Sequence, residues 1–217
     1  PTKEDFASVK NTMMDLKNDL LKEENGAEFI NLNSDISFDD NYKKKEDLSD
    51  SITEFVFSAG EGDVYGPYLE EGHYKLAKVL DFKYLPDSVK ARHILIQPDR
   101  RTRNVQEARN KADSLLTLIK NGANFGELAE EFSADQQSAS EGGNVGWFKQ
   151  GEMVEAFEDT CFFSEIGEVK LVVSPQTGFH VVEVTDKGEK VKKAQVGILA
   201  RRVDASSETY NNTYNNA

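Results

Sequence analysis

Two short apolar runs, each holding a histidine, bracket the best-ordered half of this chain. His93 lies in Ala91-Arg92-His93-Ile94-Leu95-Ile96, and His180 in Thr177-Gly178-Phe179-His180-Val181-Val182. Both runs have strand character. Between them, Val105, Ala108, Ala112, Leu115, Leu116 and Ile119 recur at helical spacing, and Asn121-Gly122 ends that helix. Phe125, Leu128, Ala129 and Phe132 mark a second helix, and 133–141 is small, polar and loop-like. Gly142-Gly143 supplies a tight turn before a short strand over 144–148. The spacing predicts a helix over 153–163, with Met153, Phe157 and Cys161 on one face, then strands over 169–173 and 179–185. The order is a strand, three helical segments, a strand, a helix and two strands, an α+β arrangement.

Composition narrows the classes. The chain has 217 residues and a net charge of −13, of which residues 1–86 carry −9 (10 Lys+Arg, 19 Asp+Glu) and residues 87–217 carry −4. An acidic surface argues against nucleic-acid binding, which depends on neutralising phosphates. The single Cys161 excludes an internal disulfide. No apolar run approaches the length of a membrane span. No signal peptide is visible and the chain opens on Pro1, so it reads as a fragment or a processed product.

The acidic N-terminal part repeats the pattern weakly. Phe57-Ser58 and Gly62-Asp63-Val64 echo Phe163-Ser164 and Gly167-Glu168-Val169, and Gly72-His73-Tyr74 echoes Gly178-Phe179-His180. Phe6, Val9, Met13, Leu16 and Leu20 form a helix like that at 105–120. The first unit therefore reads as a diverged copy that begins after its own first strand. Sliding by 106 residues to align Phe57 with Phe163 puts Asp47 at Met153, Ser51 at Phe157 and Tyr74 at His180. The expected organisation is a degenerate unit at 1–86, an intact unit at 87–190, and a strand plus helical tail at 191–217 leading to an absent domain. The tail's Lys193-Ala194-Gln195 mirrors Lys90-Ala91-Arg92, and 206–217 reads as the start of a helix.

Within 89–187 the motifs are specific. Arg92-His93-Ile94-Leu95, Phe125-Gly126-Glu127-Leu128-Ala129, Phe132-Ser133 and Gly143-Asn144-Val145-Gly146-Trp147-Phe148 together resemble the parvulin-type peptidyl-prolyl cis-trans isomerases. The resemblance implies a four-stranded, mostly antiparallel sheet flanked by helices, in the order βα3βαβ2. It implies a catalytic group of His93, Asp135, Thr177 and His180, and a proline pocket formed by Val145, Met153 and Phe157. Asn144-Val145 stands where the family usually has Asp-Leu, a lost methylene that would cost about 1 kcal/mol of substrate contact. Asp135, where some relatives have cysteine, argues against a thiolate mechanism. Taken singly, a strand histidine is more often structural, and Met153 and Phe157 would be core. Arg100, Arg101 and Arg103 read most simply as a solvated loop.

Tandem units of this kind resemble the PpiD-like, inner-membrane-anchored folding factors of the Gram-negative periplasm. That implies unfolded or proline-containing polypeptide clients, no nucleic acid, no metal or organic cofactor, and membrane attachment only through a segment absent from this chain. The alternative is a peptide-binding chaperone or interaction module with an inactive parvulin fold. An unrelated hydrolase using either histidine with Asp135 is disfavoured, because no serine or cysteine sits in a nucleophile elbow and no metal-ligand spacing appears.

Overall fold

Strands buried on both faces and helices with one apolar stripe build two separate α+β units. A computed structural model describes residues 1–99, 101–207 and 209–210. Arg100, Glu208 and the 211–217 end of the expected terminal helix lie outside them. In chain order the elements are α1 (Lys3–Leu20), α2 (Gly26–Asn33), β1 (Tyr42–Lys43), α3 (Asp50–Ser58), β2 (Val64–Glu70) and β3 (His73–Pro86). Then come β4 (Val89–Ile96), α4 (Val105–Lys120), α5 (Phe125–Phe132), α6 (Gln136–Ala139), β5 (Asn144–Phe148), α7 (Glu155–Phe163), β6 (Val169–Ser174), β7 (Gly178–Lys187) and β8 (Lys190–Arg202). One unit comprises Pro1–Tyr84 with the chain from Lys192 onward, the other Leu85–Val191.

The second unit is the expected four-stranded antiparallel sheet, in the order β5-β4-β7-β6. Side chains alternate across it, so each face collects its own core. Val89, Ala91, Val182 and Val184 pack with Phe157, Cys161 and Phe162 of α7 on one face. Ile94, Ile96 and Val181 pack with Ala108, Ala112 and Leu115 of α4 and with Phe125 and Ala129 of α5 on the other. Asn104 and Asn124 cap α4 and α5, each side-chain oxygen accepting from first-turn amides.

One element differs from expectation at the place that matters. The helix predicted over 153–163 starts at Glu155, with Val154 as an N-cap that makes no side-chain capping bond. Met153 therefore lies in the preceding loop, not one helical turn before Phe157. The reason is Glu158: its carboxylate accepts from the Gly151 amide (2.9 and 2.8 Å) and the Met153 amide (3.3 Å), holding these residues off the helical path.

The first unit also has four strands, in the order β1-β8-β3-β2. The strand expected in a separate tail is thus an inner strand of this sheet, between β1 and β3. Its Ala194, Leu199 and Ala200 are fully buried. Lys190–Arg202 enters here because its alternating apolar side chains fill both faces. Ala194 and Val196 meet Ile52 and Val56 of α3, while Leu199 meets Met13 and Leu20 of α1. The strand supplied late in the chain occupies the place that β4 holds in the second sheet.

The topology also fixes the spacing between corresponding residues. Val64 pairs with Lys78 as Val169 pairs with Glu183, a displacement of 105 residues, and α3 precedes α7 by the same amount. The 106-residue alignment is off by one. It rested on Phe57 and Gly72; Gly62 stands 105 residues before Gly167 and keeps the register, but Gly72 lies inside its turn whereas Gly178 opens β7. Leu48 and Ile52, not Asp47 and Ser51, therefore correspond to Met153 and Phe157, and Lys75, not Tyr74, corresponds to His180. Tyr74 packs on the α1 side of its sheet.

Candidate functional site

The β4–β7 register places the histidines. His93 pairs with Val182 and Leu95 with His180, so the two imidazoles are diagonal neighbours on the same face. Their rings lie 5.2 Å apart at 25°, and Nδ1 of one is 3.0 Å from Nδ1 of the other. Phe157, from the first turn of α7, meets both rings nearly edge-on, at 5.7 and 5.6 Å. Both histidines are buried.

Asp135 reaches this pair through a backbone latch. The Ala134 amide donates to the Leu95 carbonyl (2.7 Å), and the Leu95 amide donates to Ser133 Oγ (3.1 Å). The next residue, Asp135, then caps α6 with one oxygen and accepts from His93 Nε2 with the other (2.9 Å). Close approach on the opposite side needs glycine. The His93 amide donates to the Gly143 carbonyl (2.8 Å), Gly143 has φ +85°, and a Cβ there would meet the His93 carbonyl at 2.4 Å.

At the far end Thr177 Oγ1 lies 2.7 Å from His180 Nε2. Thr177 O–H donating to His180 Nε2, His180 Nδ1–H to His93 Nδ1, and His93 Nε2–H to Asp135 satisfies every atom with one proton per bond and leaves both rings uncharged. This tautomer assignment follows from the hydrogen-bond pattern. Burial, with His93 alongside, pushes the His180 imidazole down to about 4, consistent with a neutral ring at pH 7. The hydrogen bond from Ser138, and then His93, holds the Asp135 carboxyl below the usual range.

Of the residues expected at the site, His93, Asp135, Thr177, His180 and Phe157 form one connected group. Val145 and Met153 pack together against the adjoining core. Val145 also lines a cleft of about 350 Å³ with Asp135, Ser138 and Asn144. Cys161 is fully buried and burial pushes its thiol up to about 12, so no thiolate is available there. Arg103, from the expected solvated loop, lines a separate cleft of about 830 Å³ with Asp99, Val173 and Thr177.

Sequence reasoning missed two buried side chains. Ser138 Oγ donates to Asp135 Oδ2 (2.6 Å) and lies 3.2 Å from His93 Nε2. It sits three residues after a capping aspartate, a spacing that brings side chains together in a helical turn. Glu158 is the other; nothing in its immediate sequence marks a carboxylate that binds only backbone amides of the preceding loop.

The geometry is thus a histidine pair on adjacent antiparallel strands, tied to a carboxylate and a hydroxyl and packed against an aromatic ring. The chain belongs to the parvulin-type, or PPIC-type, peptidyl-prolyl isomerase family: the family model described as a PPIC-type PPIASE domain matches residues 74–188. Chaperone SurA of Methylococcus capsulatus is 31% identical over 180 residues, covering 78% of this chain and 39% of that protein. Foldase protein PrsA of a Geobacillus species is 36% identical over 109 residues, covering 50% of this chain and 36% of that protein. Among solved structures, the peptidylprolyl isomerase PrsA of Bacillus anthracis is 33% identical, covers 50% of this chain and 45% of that one, and has a TM-score of 0.42. The chain thus spans less than half the length of these curated relatives.

Proposed function

We propose that this chain catalyses cis/trans isomerisation of Xaa–Pro bonds in unfolded polypeptides, as a folding factor of the cell envelope. The reaction breaks no bond. It must lower a rotation barrier of about 18–20 kcal/mol, and millisecond turnover asks for roughly 5.5–7 kcal/mol of differential stabilisation. In this reading Val145, Met153 and Phe157 grip the proline ring. The uncharged His93–His180 pair, aligned by Asp135 and Thr177, forms a rigid polar floor beside the twisting amide. No step needs a metal, a thiolate or a charged base.

The observation that carries this reading is the unbroken hydrogen-bonded line from Asp135 through both imidazoles to Thr177, directly against the Phe157 ring. The names chaperone and foldase carried by the relatives support polypeptide clients and a role in folding. We place the protein in the periplasm, as a PpiD-like factor held at the inner membrane by a segment outside residues 1–217. Among the described residues no helix is long and apolar enough to cross a membrane.

The test is a protease-free prolyl exchange assay on the whole chain, wild type against Phe157→Ala and His93→Ala, with folding followed by circular dichroism. Acceleration that collapses in folded variants is expected. A folded wild type with no acceleration would overturn the isomerase reading and leave a peptide-binding chaperone.

A further inference from the structure

Glu158 is a carboxylate with 2% of its surface exposed, one residue after the aromatic wall of the proline pocket. Burying a carboxylate is costly unless strong donors replace water. Here the donors are backbone amides of the loop before α7. Oε1 accepts from Gly151, and Oε2 accepts from Gly151 and Met153. Gly151 has φ +89°, in the left-handed region that favours glycine. Val154, the N-cap, supplies no side-chain capping bond. The carboxylate thus ties this loop to the first turn of α7.

From this geometry we infer that Glu158 is a positioning residue that sets proline affinity. It holds the loop that carries Met153 against the first turn of α7 that carries Phe157, so that one carboxylate ties both walls of the pocket together. The residue touches neither His93 nor His180; its neighbour Phe157 does. Losing Glu158 should therefore loosen one wall and leave the histidine line in place. The effect belongs to binding of the ring, common to ground and transition states, so it should appear in KM and not in kcat. The inference rests on the proposed isomerase site, and the experiment separates the two.

Exchange NMR on the whole chain with a short Xaa–Pro peptide gives KM and kcat from one concentration series. Glu158→Gln keeps one acceptor oxygen but turns an NH2 donor toward amides that also donate. KM should rise about threefold for Glu158→Gln and about tenfold for Glu158→Ala, with kcat within about twofold of wild type. On a Met153→Ala background, Glu158→Ala should add less than about twofold, because both changes act through the same wall. Hydrogen exchange should show the Gly151 and Met153 amides losing protection while β4 and β7 amides keep theirs. Unchanged KM in a variant whose loop amides exchange freely would overturn the inference, as would a fall in kcat at constant KM, or additive effects with Met153→Ala. If the wild type shows no turnover, the isomerase reading fails. The same titration then reports the peptide Kd, which must rise in the same graded order for the Glu158 inference to stand.

Discussion

The two sheets of this chain share a plan and differ in chemistry. In the second unit, Ser133 and Ala134 latch the loop after α5 onto Leu95 of β4. In the first, the Ala200 amide donates to Ser34 Oγ (3.0 Å) and the Asp35 amide to the Ala200 carbonyl (2.9 Å), the same two bonds onto β8. Edge pairing agrees, since Lys43 faces Ala194 as Phe148 faces Val89. With that register, Ile198 stands for His93, Lys75 for His180, Ile36 for Asp135 and Gly72 for Thr177. The framework bonds persist and every polar member of the candidate site is replaced. Lys75, moreover, is tied to Glu70 at 2.8 Å. The latch needs only a serine and a backbone, whereas the histidine line needs four particular side chains, and it is these four that the first sheet lacks.

The comparison breaks most visibly if β8 is removed. Residues 1–86 alone would lack an inner strand whose Ala194, Leu199 and Ala200 are fully buried. Domains have only about 5–15 kcal/mol of net stability, and we expect this piece to show no cooperative unfolding transition. A permutant in which 190–207 precedes Pro1 through a short linker should fold cooperatively. The junction is feasible because the Ser206 amide donates to Asp5 at the start of α1 (3.1 Å). It would also give the first unit the chain order of the second. Denaturant melts of both pieces decide: a cooperative melt for 1–86 alone would refute the placement of β8.

Matched truncations come next. Phe157→Ala should cost about 3–5 kcal/mol of stability and Ile52→Ala about 2–5 kcal/mol, both being buried under their helices. Only Phe157→Ala should also abolish prolyl exchange. Loss of exchange in a folded Ile52→Ala variant would mean that the first unit takes part in turnover.

A pH series sharpens the contrast. The His180 imidazole is pushed down to about 4 by burial and by His93. Between that value and about 6.5 the unfolded chain binds a proton that the native site refuses. The group therefore contributes stability above about pH 6.5 that is lost as pH falls toward 4. The contribution is at most about 3 kcal/mol, reduced by solvent screening. The first sheet has Ile198 and Lys75 at these positions and should not follow. Urea melts between pH 4 and 7 on wild type and His180→Phe check this; a wild-type slope that survives in His180→Phe would assign the titration elsewhere.

How much of this was legible in the sequence depended on whether a signal was local. His93 and His180 stand in short apolar runs, whereas Asp135, just beyond Phe132-Ser133, and Thr177, three residues before His180, came only from the family resemblance. The strands and helices of the second unit followed from period-2 and period-3.6 patterns, and their assembly into one four-stranded sheet from the family resemblance. β8 was readable as a strand, but its partners lie about a hundred residues or more away in the chain, and its place could not be inferred from the run itself. The one-residue slip between the units arose because Phe57 and Gly72 were matched to Phe163 and Gly178, and Gly72 and Gly178 occupy different turn positions. Side chains whose role is to hold others carry no periodic signature: Glu158 looked like any helix-surface glutamate.

The smallest expected effect concerns Ser138, the other residue of that kind. Its hydroxyl satisfies Asp135 at 2.6 Å from a buried position. Removing it leaves the carboxylate with one fewer strong donor and frees it to rotate away from His93. A hydrogen bond to a charged group is worth about 1.5–3 kcal/mol; the partly exposed carboxylate can recover some of that from water. Ser138→Ala should therefore cost about 1 kcal/mol of stability and lower kcat/KM by a few-fold. Because Ser138 depresses the Asp135 pKa, that pKa should rise toward the ordinary value in the variant. Carboxyl NMR titration of Asp135 in wild type and variant reads this directly. An unchanged Asp135 titration would show that His93, and not the serine, dominates the carboxylate. The alignment of the histidine line would then rest on the backbone latch, the one feature that both sheets share.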